Sequence, residues 1–242
     1  MFKFFRRIRK GLLKEGKFYS YLVYAIGEII LIIFGILIAV QISNWNENRK
    51  LKSIEISVLR EISVDLNQNI DQIEGIISTD ESHIQKGENL LKILKDPKSV
   101  FHDSLKLSFG VINSYLPFEQ TDGAYENLKQ RGLDIIQDDS LKIVVRYLFE
   151  QLFPSIEQTG NSFREKVYFQ SSDVFSKYLE TGKYIFSKTP NNFNTLKESQ
   201  EFINMFTYAL ASRRLARNLY QFRLDRALKA KQFIDEKIQE LE

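Results

Sequence analysis

Catalysis needs nucleophiles, bases, metal ligands or phosphate cradles at workable spacings, and this sequence offers few. It contains no cysteine, which excludes disulfides, iron–sulfur clusters, thiolate zinc sites and cysteine nucleophiles. Its two histidines, His83 and His102, lie far apart on polar stretches beside Ser82 and Asp103. They are too few for a histidine-rich metal site, and surface or capping roles account for them. No G-x-S-x-G elbow, phosphate-cradling P-loop, G-x-G-x-x-G or H-E-x-x-H occurs. The 31 acidic side chains make some carboxylate pair at glycosidase separation unavoidable, so such a pair carries no information. No catalytic, cofactor-binding or metal-ligating residue is assigned, and no cofactor is expected.

Two clusters have alternative readings. Arg213, Arg214, Arg217, Arg223, Arg226, Lys229 and Lys231 form a basic band whose surface members (Arg213, Arg217, Arg223 and Arg226) could hold anionic lipid heads, glycan or an acidic partner. Charge on an amphipathic helix is more ordinarily a solvated face paired with acidic neighbours. Phe163, Tyr168, Phe169, Phe175, Tyr178, Tyr184 and Phe186 could line an apolar ligand pocket, but core filling between helices is the expected use of so many aromatics.

The elements that would position these groups begin with a membrane segment. Residues 21–42 read YLVYAIGEIILIIFGILIAVQI, and at about 1.5 Å per residue a helix of this length spans a bilayer's hydrocarbon core of about 30 Å. Residues 1–17 carry seven of the 34 basic side chains and one of the 31 acidic ones, so the net charge of +3 is an N-terminal property. A nucleic-acid binder would spread that footprint over a folded face, and no nucleic-acid partner is expected. The positive-inside rule places residues 1–20 in the cytoplasm and residues 43–242 outside. Tyr21 and Tyr24 at one end and Trp45 at the other fit interfacial aromatic belts. The stretch Ala39-Val40-Gln41-Ile42-Ser43-Asn44 offers no small-x-small cleavage site, so an uncleaved signal-anchor is expected.

Glu28 stands inside this segment, where an ionisable group is costly unless paired, protonated or hydrated. Helical stepping puts it on one stripe with Tyr24, Leu31, Ile32, Gly35, Ala39 and Ile42, and Gly35-x-x-x-Ala39 is the spacing that lets two helix backbones approach closely. Either Glu28 is hydrogen-bonded inside a helix contact, with a second copy or another membrane protein, or it snorkels to the interface and the small residues are incidental.

The opening MFKFFRRIRKGLLKEGKFYSYLVYAIGEIILIIFGILIAVQISNWNENRK resembles a domain-of-unknown-function family of single-pass membrane proteins of certain Gram-negative bacteria. The resemblance lies in a basic head, a YAIGEI-type start to the transmembrane segment and an N-W-N-E exit. TDGAYENLKQRG, residues 121–132, is a weaker similarity. The resemblance implies a shared architecture over essentially the whole chain and no activity.

Beyond Trp45, Leu51, Ile54, Val58, Ile62, Leu66, Ile70, Ile73 and Ile77 recur at the helical period, and Leu51, Ile62, Ile73 and Ile84 repeat every 11 residues, the signature of a nearly straight helix. This predicts a helical stalk reaching Asp96-Pro97, with Gly75 and Ser78-Thr79-Asp80-Glu81 marking a potential break. A short helix from Asp122 should be capped by Gly132, and a longer one starts at Asp138-Asp139-Ser140, is interrupted at Pro154 and Gly160, and runs to about Leu179. Thr195-x-x-Glu198 reads as the capping box of a last helix whose inner stripe includes Phe202, Phe206, Leu210, Leu219, Phe222, Ile234, Ile238 and Leu241. No strand is expected.

The expected fold is all-α: one N-terminal transmembrane helix continuing into an elongated extracytoplasmic bundle of about three long and two short helices. The expected function is that of a non-enzymatic interaction or scaffold protein held in the bacterial inner membrane, its partners the lipid bilayer and whatever helix packs against the anchor. A ligand-sensing module signalling through a membrane partner is the alternative, and a cell-envelope hydrolase the third.

Overall fold

The computed structural model describes residues 18–111, 114–184 and 186–242, and the basic head at 1–17 lies outside the described residues. The protein is all-α and divides into two compact units, one ending at Ile54 and one spanning Glu55–Glu242. Helix α1 (Phe18–Lys95) contributes to both. It passes Gly75 and the Ser78–Glu81 capping pattern without a break, because Ile73, Ile76, Ile77, Asp80 and Ile84 keep one face buried across the site and packing overrides a local cap signal. It ends where Asp96-Pro97 stops it, with the Ser99 hydroxyl donating to the Ile93 carbonyl at 2.6 Å.

The second unit follows. A 3₁₀ turn (Asp103–Leu105) leads into α2 (Lys106–Gly110), and α3 (Gly123–Arg131) ends at Gly132, whose φ of 106° suits only glycine. Then α4 (Asp139–Tyr147), α5 (Phe153–Phe163) and α6 (Gln170–Tyr178) form one run, joined by π-helical turns at Leu148–Leu152 and Arg164–Phe169. Pro154, which lacks an N–H and would clash with the preceding turn, is accommodated by the wider π turn before it. The run therefore starts at its expected Asp138 cap, where the carboxylate accepts from the Ser140 and Leu141 amides, and bulges instead of breaking.

Strands β1 (Leu179–Thr181) and β2 (Lys188–Pro190) pair antiparallel, Glu180 opposite Thr189. Three residues each is too short for a period-2 pattern to register, which is why the sequence predicts none. The last helices divide differently from expectation: α7 (Phe193–Glu198) is capped by Asn192, and α8 (Gln200–Leu241) by Ser199, whose hydroxyl accepts from the Phe202 amide. Thr195 and Glu198 lie within α7, so their spacing marks no helix start.

Among the described residues, two hydrophobic clusters make the core of the second unit. One joins Val58–Ile77 of α1 to α3, α4, α5 and the Ala216–Ile238 half of α8; the other joins Ile84, Leu90 and Leu94 to Phe109, Phe175, Phe202, Phe206 and Leu210. Each fully buried Leu, Ile or Phe contributes about 1.5–3 kcal/mol. Along α8 the buried series runs Phe206, Leu210, Arg213, Ala216, Tyr220, Leu224, Ala227 and Ile234. Leu219 and Phe222, read from the sequence as inward, face solvent, Phe222 at 55% exposure; Arg213, Ala216 and Tyr220 take the inner positions instead.

The TDGAYENLKQRG segment is held by α1. Buried Asn69 accepts from the Thr121 amide at 2.8 Å and donates to the Thr121 carbonyl at 2.7 Å, and Asp65 accepts from the Ala124 amide at 2.7 Å, capping α3 from a neighbouring helix. Tyr125 stacks on Phe149 with centroids 4.9 Å apart and donates to Glu150. These residues fix a connection in place, which gives the motif a structural role.

Candidate functional site

Among the described residues the first unit presents one helix, long and apolar enough to cross a membrane. From Leu22 to Trp45 its apolar side chains are exposed in every direction around the axis, Leu31 at 69% and Trp45 at 63%. A surface helix of a water-soluble fold shows one apolar stripe, whereas an all-round apolar surface of this length fits a helix that could cross a membrane. Glu28 is half-exposed and Gly35 and Ala39 are exposed on the same side of α1. A Cβ added at Gly35 would meet nothing within 4 Å, so the small-residue stripe is open along its length among the described residues. The backbone of Tyr21 and Tyr24 is helical, and their side chains lie outside the described ones.

The basic band of α8 resolves into separate roles. Arg213 is not a surface residue: it is 2% exposed, because it falls on the buried stripe between Leu210 and Ala216. Arg214 pairs with Glu88 at 2.6 Å and Arg217 with Glu81 at 3.4 Å. Arg223 donates from Nε to Ser155 at 2.8 Å, and Arg226 donates to the Tyr147 hydroxyl at 2.8 Å while stacking over the Phe222 ring. The face is thus largely engaged by neighbouring helices. The aromatic stretch divides too: Phe175 is buried against Phe202 and Phe206, whereas Tyr168, Phe169, Tyr184 and Phe186 are exposed, so core filling describes only part of it.

The most unusual chemistry of the second unit is where its two hydrophobic clusters meet. There Asp80 of α1, 8% exposed, pairs with Arg213 of α8. The guanidinium also donates to the Val111 carbonyl at 3.2 Å and to the Ser114 carbonyl, and lies over the Phe163 ring, 4.9 Å from its centroid. Burial raises the Asp80 carboxyl above its ordinary pKa although Arg213 pulls it down, and burial lowers Arg213 although Asp80 pulls it up. Desolvation thus outweighs attraction on both sides, as for many buried ion pairs. Next to it Ser114 Oγ lies 3.0 Å from His83 Nδ1. Burial first, then Arg213 and Lys86, lowers His83 to about 4, so its ring is neutral at pH 7.

Gly160 of α5 completes the packing. A Cβ there would sit 2.5 Å from the Tyr115 hydroxyl and 3.0 Å from that of Tyr220, so its missing side chain lets both tyrosines close over the helix. A cavity of about 320 Å³ opens beside His83, walled by Thr79, Val111, Ser114, Tyr115, Leu116 and Phe186. Among the described residues no group of three or more acidic, cysteine or histidine side chains is arranged to hold a metal ion. Sequence reading missed this assembly. Its signal was one charged residue on the apolar stripe of each of two long helices, opposite in sign.

No curated protein and no solved structure is matched by the chain. A family model matches from inside the apolar segment, at Glu28, to just past Arg213, so it takes in Glu28, Gly35, Ala39 and both halves of the buried ion pair. The chain belongs to DUF6090, a family of unknown function, whose model matches residues 28–214.

Proposed function

We propose that this protein is a non-enzymatic interaction or scaffold protein anchored in the bacterial inner membrane by residues 21–42, with its N-terminus cytoplasmic and its helical second unit periplasmic. The observation that carries this reading is the sleeve of uncovered apolar side chains from Leu22 to Trp45, set against a second unit whose large apolar residues are mostly buried. Orientation follows from the seven basic residues that precede the segment. The open Glu28, Gly35 and Ala39 stripe is where a second copy or another membrane protein packs, because closely approaching backbones shield a carboxyl that is costly in lipid. The Ser114–His83 pair supports a non-catalytic role. A nucleophilic serine gives its proton to the base, and Ser114 donates to a backbone carbonyl.

Reporter tags at Met1 and Glu242 test the topology. They should label from opposite sides of the membrane, and labelling of both from one side overturns the anchor. A photoreactive residue replacing Leu31 or Ile32 tests the contact: protein adducts, to itself or to another chain, support it, and adducts to lipid alone refute it. Glu28→Gln should leave insertion intact and reduce those protein adducts.

A further inference from the structure

The cavity beside the Asp80–Arg213 pair reveals its ligand chemistry through hydrogen-bond accounting. Ser114 Oγ is 2.7 Å from the Val111 carbonyl oxygen and 3.0 Å from His83 Nδ1. A hydroxyl has one proton, and two oxygens held 2.7 Å apart need it between them. The Val111 carbonyl therefore receives the Ser114 proton, and His83 Nδ1 must be the protonated nitrogen, donating to Ser114 Oγ. In the neutral ring Nε2 is then the acceptor, and among the described residues none donates to it.

The surrounding chemistry narrows what can donate there. Val111, Leu116, Phe186 and the Tyr115 ring make much of the wall apolar, and about 320 Å³ is at the small end for ligand pockets. Arg213 and Lys86, whose charges act on His83, oppose a cation. An anion gains little, because Arg213 is already engaged by Asp80 and the carbonyls of Val111 and Ser114.

We propose that this cavity binds a small, uncharged, mostly apolar molecule of one or two rings that donates a single hydrogen bond to His83 Nε2. The site lies wholly within the second unit and does not rest on the anchor reading.

The test uses the full chain in lipid nanodiscs with ¹⁵N-labelled imidazoles, since His83 and His102 are its only histidines and exposed His102 serves as an internal control. The probes are indole and 1-methylindole, which differ in the N–H donor. Without ligand, His83 should show the Nδ1–H tautomer. Indole should shift its Nε2 resonance saturably and leave His102 unmoved, and 1-methylindole should bind roughly three- to tenfold more weakly, the worth of one hydrogen bond. Leu116→Trp, which fills the cavity from its rim, should abolish the shift while the helical melt is retained. An Nε2–H tautomer in the free protein, equal affinity for both indoles, parallel movement of both histidines or no shift at all would each overturn the proposal.

Discussion

Removing Asp80 should be among the most damaging single changes to the second unit. In Asp80→Ala the Arg213 guanidinium stays at 2% exposure, charged at any accessible pH and without its counter-ion. Breaking a buried pair in this way costs about 3–5 kcal/mol. For a domain of this size each kcal/mol lowers the melting temperature by about 2–4 °C, so the transition should fall by roughly 6–20 °C. Arg213→Met removes the donors to Val111 and Ser114 and leaves Asp80 behind, but a carboxyl can escape by taking a proton. Its folded pKa, already raised, then rises further without Arg213, and an acid whose folded pKa exceeds its unfolded one loses stability as pH climbs through that interval. Arg213→Met should therefore be milder at about pH 5 than at about pH 8. The double variant removes both charges, and its cost should fall short of the sum of the singles by at least about 1.5 kcal/mol. Circular dichroism melts of the full chain in micelles measure all three. An Asp80→Ala transition within about 2 °C of wild type, or additive singles, would refute the argument that desolvation governs this pair.

Three further outcomes follow from the packing. Gly160→Ala should cost about 1–3 kcal/mol by overpacking against the Tyr115 and Tyr220 hydroxyls, less whatever alanine's helix propensity returns, and Tyr115→Phe in that background should recover part of the loss in the same melts. Asn69→Ala orphans the Thr121 amide and carbonyl and should cost about 2–4 kcal/mol, with faster hydrogen exchange over residues 119–124 as its local signature. His83, held at about 4 when folded against 6.5 ordinarily, contributes stability that is complete above about pH 6.5 and lost as pH falls toward 4; His83→Gln should flatten that acid limb, and an unchanged limb would place the sensitivity elsewhere.

Much of this architecture is legible in the sequence because it rests on local signals. The apolar period of α1, the Asp138 cap and the Gly132 stop depend on residues within a turn or two of each other, and each is found where spacing puts it. What sequence reading misses depends on long-range partners. Asp80 looks like part of a capping box because Ser78 and Glu81 flank it, and only the buried series Ile73, Ile77, Asp80, Ile84 shows it as a core position. On α8, tracing the inner face through large apolar residues alone jumps from Leu210 to Leu219 and so skips Arg213, Ala216 and Tyr220, where the true stripe runs. The hairpin and π turns are likewise invisible, since each is a few residues long and determined by what packs on it.

The pairing of α1 with α8 has a kinetic side. Asp80 meets Arg213 in the core, and Arg60 meets Glu242 at the surface at 2.6 Å, so docking α8 on α1 joins segments more than a hundred residues apart. Contacts so distant must offset a large loop-closure entropy before they stabilise anything. At ribosomal speeds of about 5–20 residues per second, the stretch from Asp80 to the end of α8 takes roughly 8–30 s to make. Until Gln200 and the residues after it are made, the part of the α1 face that α8 buries, between Val58 and Leu94, lacks that cover, and Arg213 arrives with the residues that close the gap. Truncation before α8 would leave permanently uncovered the part of that face that Phe202, Phe206, Ala216, Tyr220 and Leu224 bury.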